Sequence, residues 1–305
     1  MPAFFQWLDG VLCAAKKVVV QCSPSYLVLI GVLLSCTAQA KPQKVVSINL
    51  CTDQLLLLLA DKPVIQSLSY LASRDDISAL AHEAVGIRKN HGLAEEIMLM
   101  QPDLILAGTF TSRPTVFLLK RLDFNIIEVP VARSFADIRH NIAMIAKALH
   151  EEQRGEQLIQ AFDTRLALAL ATQVPQPPVA VFYRENSYTT GGNTLAHTIL
   201  EAAGFRNLAA EMGISGSGHL PLEALITQHP DIIISGRKRS PHGSVATAAF
   251  QHPAFQAFKT QTTMVTISDP LWICGTPLVL DAVENLLKVR LQLAATQQTT
   301  GQPTP

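Results

Sequence analysis

Cysteine is nearly absent from this sequence beyond its first forty residues: of five, Cys13, Cys22 and Cys36 fall in that stretch, and only Cys51 and Cys274 remain. Two cysteines cannot staple a small scaffold, so the chain has to fold on a hydrophobic core. An excess of one charge is missing as well, with 24 Lys and Arg against 24 Asp and Glu, which argues against the basic patch that nucleic acid requires. No Gly-x-Gly-x-x-Gly follows the first expected strand, and there is no Walker loop. His82, His91, His197, His219 and His242 are scattered, with no close pair on one expected face. A binder of bare zinc or manganese needs three or four converging ligands and is therefore the lesser alternative. An exported α/β enzyme is a further alternative, since Gly213-Ile214-Ser215-Gly216-Ser217 approximates a nucleophile elbow without the preceding strand.

The first forty residues are present for another purpose. Lys16 and Lys17 precede an apolar run from Tyr26 to Leu34, and Ala38-Gln39-Ala40 offers the small residues a signal peptidase requires. The run falls short of the roughly 20 apolar residues that cross a bilayer. Residues 1–40 therefore read as a secretory signal. Leu33-Leu34-Ser35-Cys36 loosely resembles a lipoprotein box and gives Cys36 as a second processing site.

After the leader, short apolar strands alternate with amphipathic helices, as in parallel sheets flanked by helices. Strands are expected at Lys44 to Leu50, Val64 to Ser67, Asp103 to Ala107 and Ile126 to Val129, with a buried helix over Leu55 to Leu59 capped near Thr52 or Asp53. The second half has strands at Val179 to Tyr183, Ile232 to Ser235 and Met264 to Ile267. Its helices lie near Thr194 to Ala203, Leu222 to Gln228 and Pro277 to Leu293. Between Pro130 and Pro175 there is no proline. Apolar residues recur there at helical spacing, first Ile138, Ile142, Ile145 and Leu149, then Leu158, Phe162, Leu166 and Leu170. Two helices fit, broken near His150 to Arg154, and the second is long enough to act as a stiff strut. The division expected is a lobe at 41–134, linker helices at 135–174, a second lobe at 175–295 and a disordered tail at 296–305. The fold class is α/β: two similar Rossmann-like lobes with mostly parallel sheets, joined by a long rigid α-helix.

One element occurs twice. Glu95 to Gly108 aligns without gaps on Glu223 to Gly236, matching Glu95 with Glu223, Pro102 with Pro230, Asp103 with Asp231 and Gly108 with Gly236. Each copy is a short helix opened by Glu, which the helix dipole favours there, stopped by Pro and followed at once by a buried parallel strand. Two copies in register imply two similar lobes.

With Val45-Val46-Ser47-Ile48-Asn49-Leu50 as first strand, both Glu-to-Pro-Asp elements, the strut helix, and Trp272 before the last long helix, the chain resembles a known family. These are the periplasmic substrate-binding proteins of ABC importers for iron-siderophores, haem and cobalamin. The resemblance implies capture of a metal chelate or corrinoid between the lobes and delivery to a membrane permease with its ATPase. It implies that Glu95 and Glu223, one per lobe, dock onto arginines of that permease. No cofactor, no enzymatic activity and a monomer are expected.

Ligands of open α/β sheets bind outside the carboxyl ends of the strands. The loops there carry Cys51, Tyr70, Arg74 and Phe110 in the first half. In the second they carry Arg184, Tyr188, Arg237 to Arg239 and Trp272. Aromatics beside arginines suit a large, partly apolar ligand with polar or anionic edges. Cys51 and Cys274 fall on such loops in opposite lobes; a disulfide, soft donors to a ligand's metal, and two unrelated thiols all remain open.

Overall fold

The computed structural model describes residues 41–172, 174–235 and 248–300. The leader with Ala38 to Ala40 and Cys36, the Arg237 to Arg239 and His242 segment, and the end of the tail lie outside the described residues.

The first lobe is a five-stranded parallel sheet of β1 (Val45–Ser47), β2 (Ile65–Ser69), β3 (Lys89–Asn90), β4 (Leu104–Gly108) and β5 (Ile126–Val129), in the order β3-β2-β1-β4-β5. The chain works outward from β1 to β3, then crosses back to β4, so the order reverses between β1 and β4. The second lobe has β6 (Val179–Phe182), an antiparallel ribbon of β7 (Tyr188–Thr190) with β9 (Ser217–His219), and β8 (Arg206–Asn207), β10 (Ile232–Ser235) and β11 (Thr263–Thr266). Its parallel sheet runs β11-β10-β6-β8, with the reversal between β6 and β10. The strands not expected from sequence, β3 and β7 to β9, are two or three residues long, too short for a two-residue period to register.

Successive residues of a strand point to opposite faces, and both sheets use both faces. Val45, Leu104, Leu106, Ile232 and Ile234 join one central core. Val46, Ile105 and Ala107 enter a core on the outer face of the first sheet, and Val181 and Ile233 one on the outer face of the second. The central core runs without interruption through both lobes, so the sheets flank a common centre.

The helices are α1 (Leu50–Leu59), α2 (Ala94–Met100), α3 (Arg113–Arg121), α4 (Phe135–Leu149), α5 (Glu152–Leu170), α6 (Leu195–Ala202), α7 (Leu208–Glu211), α8 (Leu222–Gln228), α9 (Ala248–Gln251), α10 (Pro253–Lys259) and α11 (Val279–Thr300). The last continues past the expected end at Leu293. The cap of α1 differs from expectation: Asn49 accepts from the Cys51 N–H at 2.9 Å. Thr52 instead donates to the Asn49 carbonyl at 2.9 Å, and Asp53 turns into the core. The helix starts earlier because β1 ends at Ser47 and the chain turns at once.

A reciprocal cap between Ser134 and Asp137 opens α4, and His150 in the left-handed conformation (φ 54°) closes it, which places the break where the sequence indicates. At 19 residues, α5 is about 29 Å long. Arg154 ties it to Asp61 of the first lobe at 3.0 Å, and Arg165 ties it to Asp281 and Glu284 of α11 at 2.7 Å each. Such exposed pairs contribute at most about 1 kcal/mol each; the helix is held chiefly by Phe162 and Leu166 in the central core.

Gly155, the one break in the helical composition of this segment, lies directly against Ala146 and Ile142 of α4. A Cβ there would meet Ala146 Cβ at 2.5 Å. Helix propensity alone favours Gly155→Ala by about 1 kcal/mol. The contact reverses the sign: the variant is expected to lose about 1–2 kcal/mol through overpacking, with Ala146→Gly in the same chain restoring part of it. Urea unfolding of the three variants tests this, and a stabilised Gly155→Ala would show that the helices have room.

The duplicated element has the same geometry in both copies. Gln101 after α2 and His229 after α8 are both left-handed, at φ 46° and 44°, turning each helix back into its strand across the proline. The following aspartate stitches that strand to the first strand of its sheet. Asp103 accepts from the N–H of Lys44 at 2.9 Å, just before β1, and Asp231 from that of Val179 at 2.7 Å, opening β6. Gly108 closes β4 because a Cβ would lie 2.7 Å from the Asn49 side chain that caps α1.

Candidate functional site

Two adjoining chambers open at the carboxyl edges of the sheets. The first, about 320 Å³, sits at the β1/β4 reversal, walled by Asn49, Cys51, Gly108 and Phe110 with Ile273 and Gly275 from the second half. The second, about 660 Å³, is bounded by Arg133, Arg184, Tyr188, Ser217 and Trp272. They share Phe110, Val131, Ala132 and Ile273, which makes them parts of one cleft. A wider hollow of about 810 Å³ beside Val179 and Arg290 opens at the amino ends of the second sheet, the wrong edge for a ligand in this topology.

The expected site residues divide into two groups. Cys51, Phe110, Arg184, Tyr188 and Trp272 all wall the cleft. Tyr70 and Arg74 wall neither chamber: Tyr70 stacks on His91 at 5.3 Å, and Arg74 is paired with Asp76 through both Nε (3.0 Å) and Nη2 (2.6 Å). Phe110 is 85 % exposed, so its ring is a free apolar platform, and Tyr188 stands edge-on to His219 at 5.2 Å. Trp272 is only 9 % exposed, wedged between Phe182 at 4.8 Å and the Arg184 guanidinium at 5.4 Å. It serves as the back wall, and Arg184 is the group facing the ligand space. Asp269 holds Arg184 at 2.9 Å.

Cys51 and Cys274 form a disulfide, with Cα atoms 5.1 Å apart. Of the three readings open at the sequence level this selects the first. The bond ties the first turn of α1 to the loop that carries Trp272 and Ile273. The same loop closes on the first lobe at Gly275, where a Cβ would lie 2.3 Å from Ala132 Cβ.

Beneath the wall formed by α1 lies a buried polar network. Asp53 accepts from the Ser69 N–H at 3.0 Å and from its hydroxyl, and Asn90 donates to the Ser47 carbonyl at 3.0 Å and to Ser67 at 2.8 Å. Burial raises the Asp53 carboxyl to about 7, because desolvation outweighs the bonds from Ser47 and Ser69.

Sequence reasoning missed Arg133 with Val131 and Ala132. The rule about carboxyl ends of strands, applied to β5 as well, leads to them. Sequence reasoning named the Ser215 to Ser217 segment only as an approximate nucleophile elbow, not as cleft wall, because the segment follows no long strand. Ser215 bridges to Gly192 beside the ribbon, without the strand-to-helix turn of a nucleophile elbow. Among the described residues no group of three or more His, Cys, Asp or Glu could hold a metal ion.

Glu95 and Glu223 lie in the first turns of α2 and α8. Each of these helices runs back against its strand, so both carboxylates lie toward the carboxyl edge, as the cleft does. Both are exposed, and neither makes an ion pair with a described residue.

Two α/β lobes with parallel sheets, reversal points on one side and a cleft between them define a two-lobed binding protein. The chain belongs to the periplasmic binding protein family, whose profile matches residues 45–262. Two curated cobalamin-binding proteins, from strains of Halobacterium salinarum, are 24% identical over 205 residues, or 66% of this chain. The chain spans 55% of the length of these curated relatives. Among solved structures, the periplasmic heme-binding protein RhuT from Roseiflexus sp. RS-1 superposes with a TM-score of 0.67 at 19% identity, covering 83% of this chain and 99% of RhuT. The periplasmic vitamin B12 binding protein BtuF of Vibrio cholerae gives 0.64 at 18%, covering 83% and 98%. At such identities these likenesses establish the fold.

Proposed function

We propose that this protein is exported to the periplasm, captures an iron complex (ferric siderophore or haem) or cobalamin in the cleft, and delivers it to an ABC import permease with its ATPase. The observation that carries this reading is a wide cleft at the carboxyl edges of both sheets, furnished with a free aromatic platform and a held arginine. No metal-ligand cluster occurs among the described residues, and Ser215 in the cleft wall lacks the strand-to-helix turn of a nucleophile elbow. The disulfide supports export, since such bonds persist in oxidising compartments. Relatives that bind cobalamin and heme support the ligand range.

Delivery rests on Glu95 and Glu223. Two carboxylates on lobes joined by a shared core form a spacing gauge, able to meet two fixed arginine forks at one separation only. Calorimetric titration against cobalamin, haem and ferric siderophores tests capture, and silence across the whole panel would refute it. Glu95→Ala with Glu223→Ala is expected to leave affinity within about twofold, since neither side chain walls the cleft, and to abolish uptake in cells. Uptake that survives the double substitution rules out the docking role.

A further inference from the structure

The charge of the wider chamber is one-sided. Its described lining contains two arginines, Arg133 and Arg184, and no carboxylate. Arg184 is balanced by Asp269 from behind. Arg133 is not balanced: it is exposed and makes no ion pair with a described carboxylate. The nearest acid in sequence, Asp137, is committed to the cap of α4, accepting from the N–H groups of Arg133 at 2.8 Å and Ser134 at 2.9 Å. From the other side, Thr198 of α6 donates to the Arg133 carbonyl at 3.0 Å. The backbone of Arg133 is thus pinned from α4 and from α6 while its guanidinium is left free at the cleft. Neutral polar groups, Ser215, Ser217 and Asn193, complete that side of the chamber.

On the reading of the cleft given above, we infer that its ligand is anionic, a chelate or porphyrin presenting ionised carboxylate or catecholate oxygens, and that Arg133 is the residue that selects for this charge. A guanidinium fork meets such paired oxygens with two parallel hydrogen bonds; a neutral ferric trihydroxamate offers no net negative charge, and cyanocobalamin is neutral overall, its one phosphodiester being balanced by the cobalt centre.

The test is calorimetry on the full mature chain with ferric tricatecholate, ferric citrate, haem, a ferric trihydroxamate and cyanocobalamin, for the native protein, Arg133→Ala and Arg133→Lys. At least one of the first three is expected to bind. Arg133→Ala should weaken it about tenfold to a hundredfold, and Arg133→Lys by less. Thermal unfolding of each variant separates loss of the site from loss of the fold, and an exposed position predicts unchanged midpoints. Binding confined to the trihydroxamate or to cyanocobalamin, or an anionic ligand held equally well by Arg133→Ala, overturns the charge selection while leaving capture intact. No binding by any of the five overturns both.

Discussion

Replacing Cys51 and Cys274 by serine is expected to lower the unfolding free energy by about 5 kcal/mol, in the chain-entropy account of a cross-link. The two cysteines are 223 residues apart in sequence, so the bond closes nearly the whole described chain into a loop and removes a large share of the unfolded ensemble. The position of the bond adds a local effect. It fixes the first turn of α1 to the loop bearing Trp272 and Ile273, and both segments wall the cleft. Without it that loop keeps the close approach of Gly275 to Ala132 and Ile138. Ligand affinity should therefore fall along with stability, and more for a ligand that fills the smaller chamber beside the disulfide. Guanidinium unfolding of the native and double-serine proteins measures the first effect and titration the second. Coincident unfolding midpoints would show that the shared core alone fixes the lobes.

The sequence carries the architecture well because the features that set it are long or repeated. Eight apolar recurrences mark α4 and α5, the Glu-to-Pro-Asp element comes twice, and the strands that follow it, β4 and β10, open on runs of leucine and isoleucine. What escaped is short or non-local. β7 and β9 are three residues each and exist because they pair with one another across the Gly191–Ile214 approach, a contact no local period encodes. The cap of α1 was placed too late because Asn49, Thr52 and Asp53 are all competent caps, and only the point at which β1 ends decides among them. Tyr70, Arg74, Arg184 and Trp272 illustrate the limit at the site. All four sit on loops at the correct edge, but Asp76 and His91 engage the first two, while Asp269 and Phe182 turn the others into the cleft wall. Partners determine which loop residues face a ligand, and partners are set by the packing of distant segments.

Stability is expected to fall as pH rises from 5 to 8, by about 2–3 kcal/mol, because of Asp53. Its folded value is about 7 and its unfolded value about 3.8. Between these the folded protein holds a proton that the unfolded chain releases, so the contribution is complete below the unfolded value and is lost as pH passes through the folded one. The whole span amounts to about 4 kcal/mol, the part below pH 5 being overlaid by other carboxyls. Glu128 and Asp137 are lowered by their hydrogen bonds and neighbouring cations and are ionised in both states above pH 5, which leaves the upper window to Asp53. Asp53→Asn resembles the protonated acid: its carbonyl accepts the Ser69 N–H, and its amide donates to the Ser69 hydroxyl. The variant should be about as stable as the native protein at pH 5 and clearly more stable at pH 8, with a flat profile between. A native profile that is already flat would show Asp53 ionised throughout and its cost met by Ser47, Ser69 and Lys89. The same proton bears on the cleft, since Asp53 lies two residues beyond Cys51 in α1 and grips the end of β2 at Ser69. Ionisation loads charge into the base of the wall that the disulfide anchors; because the pH slope depends only on the protons bound in the folded and unfolded states, the double-serine variant should lie below the native profile and run parallel to it.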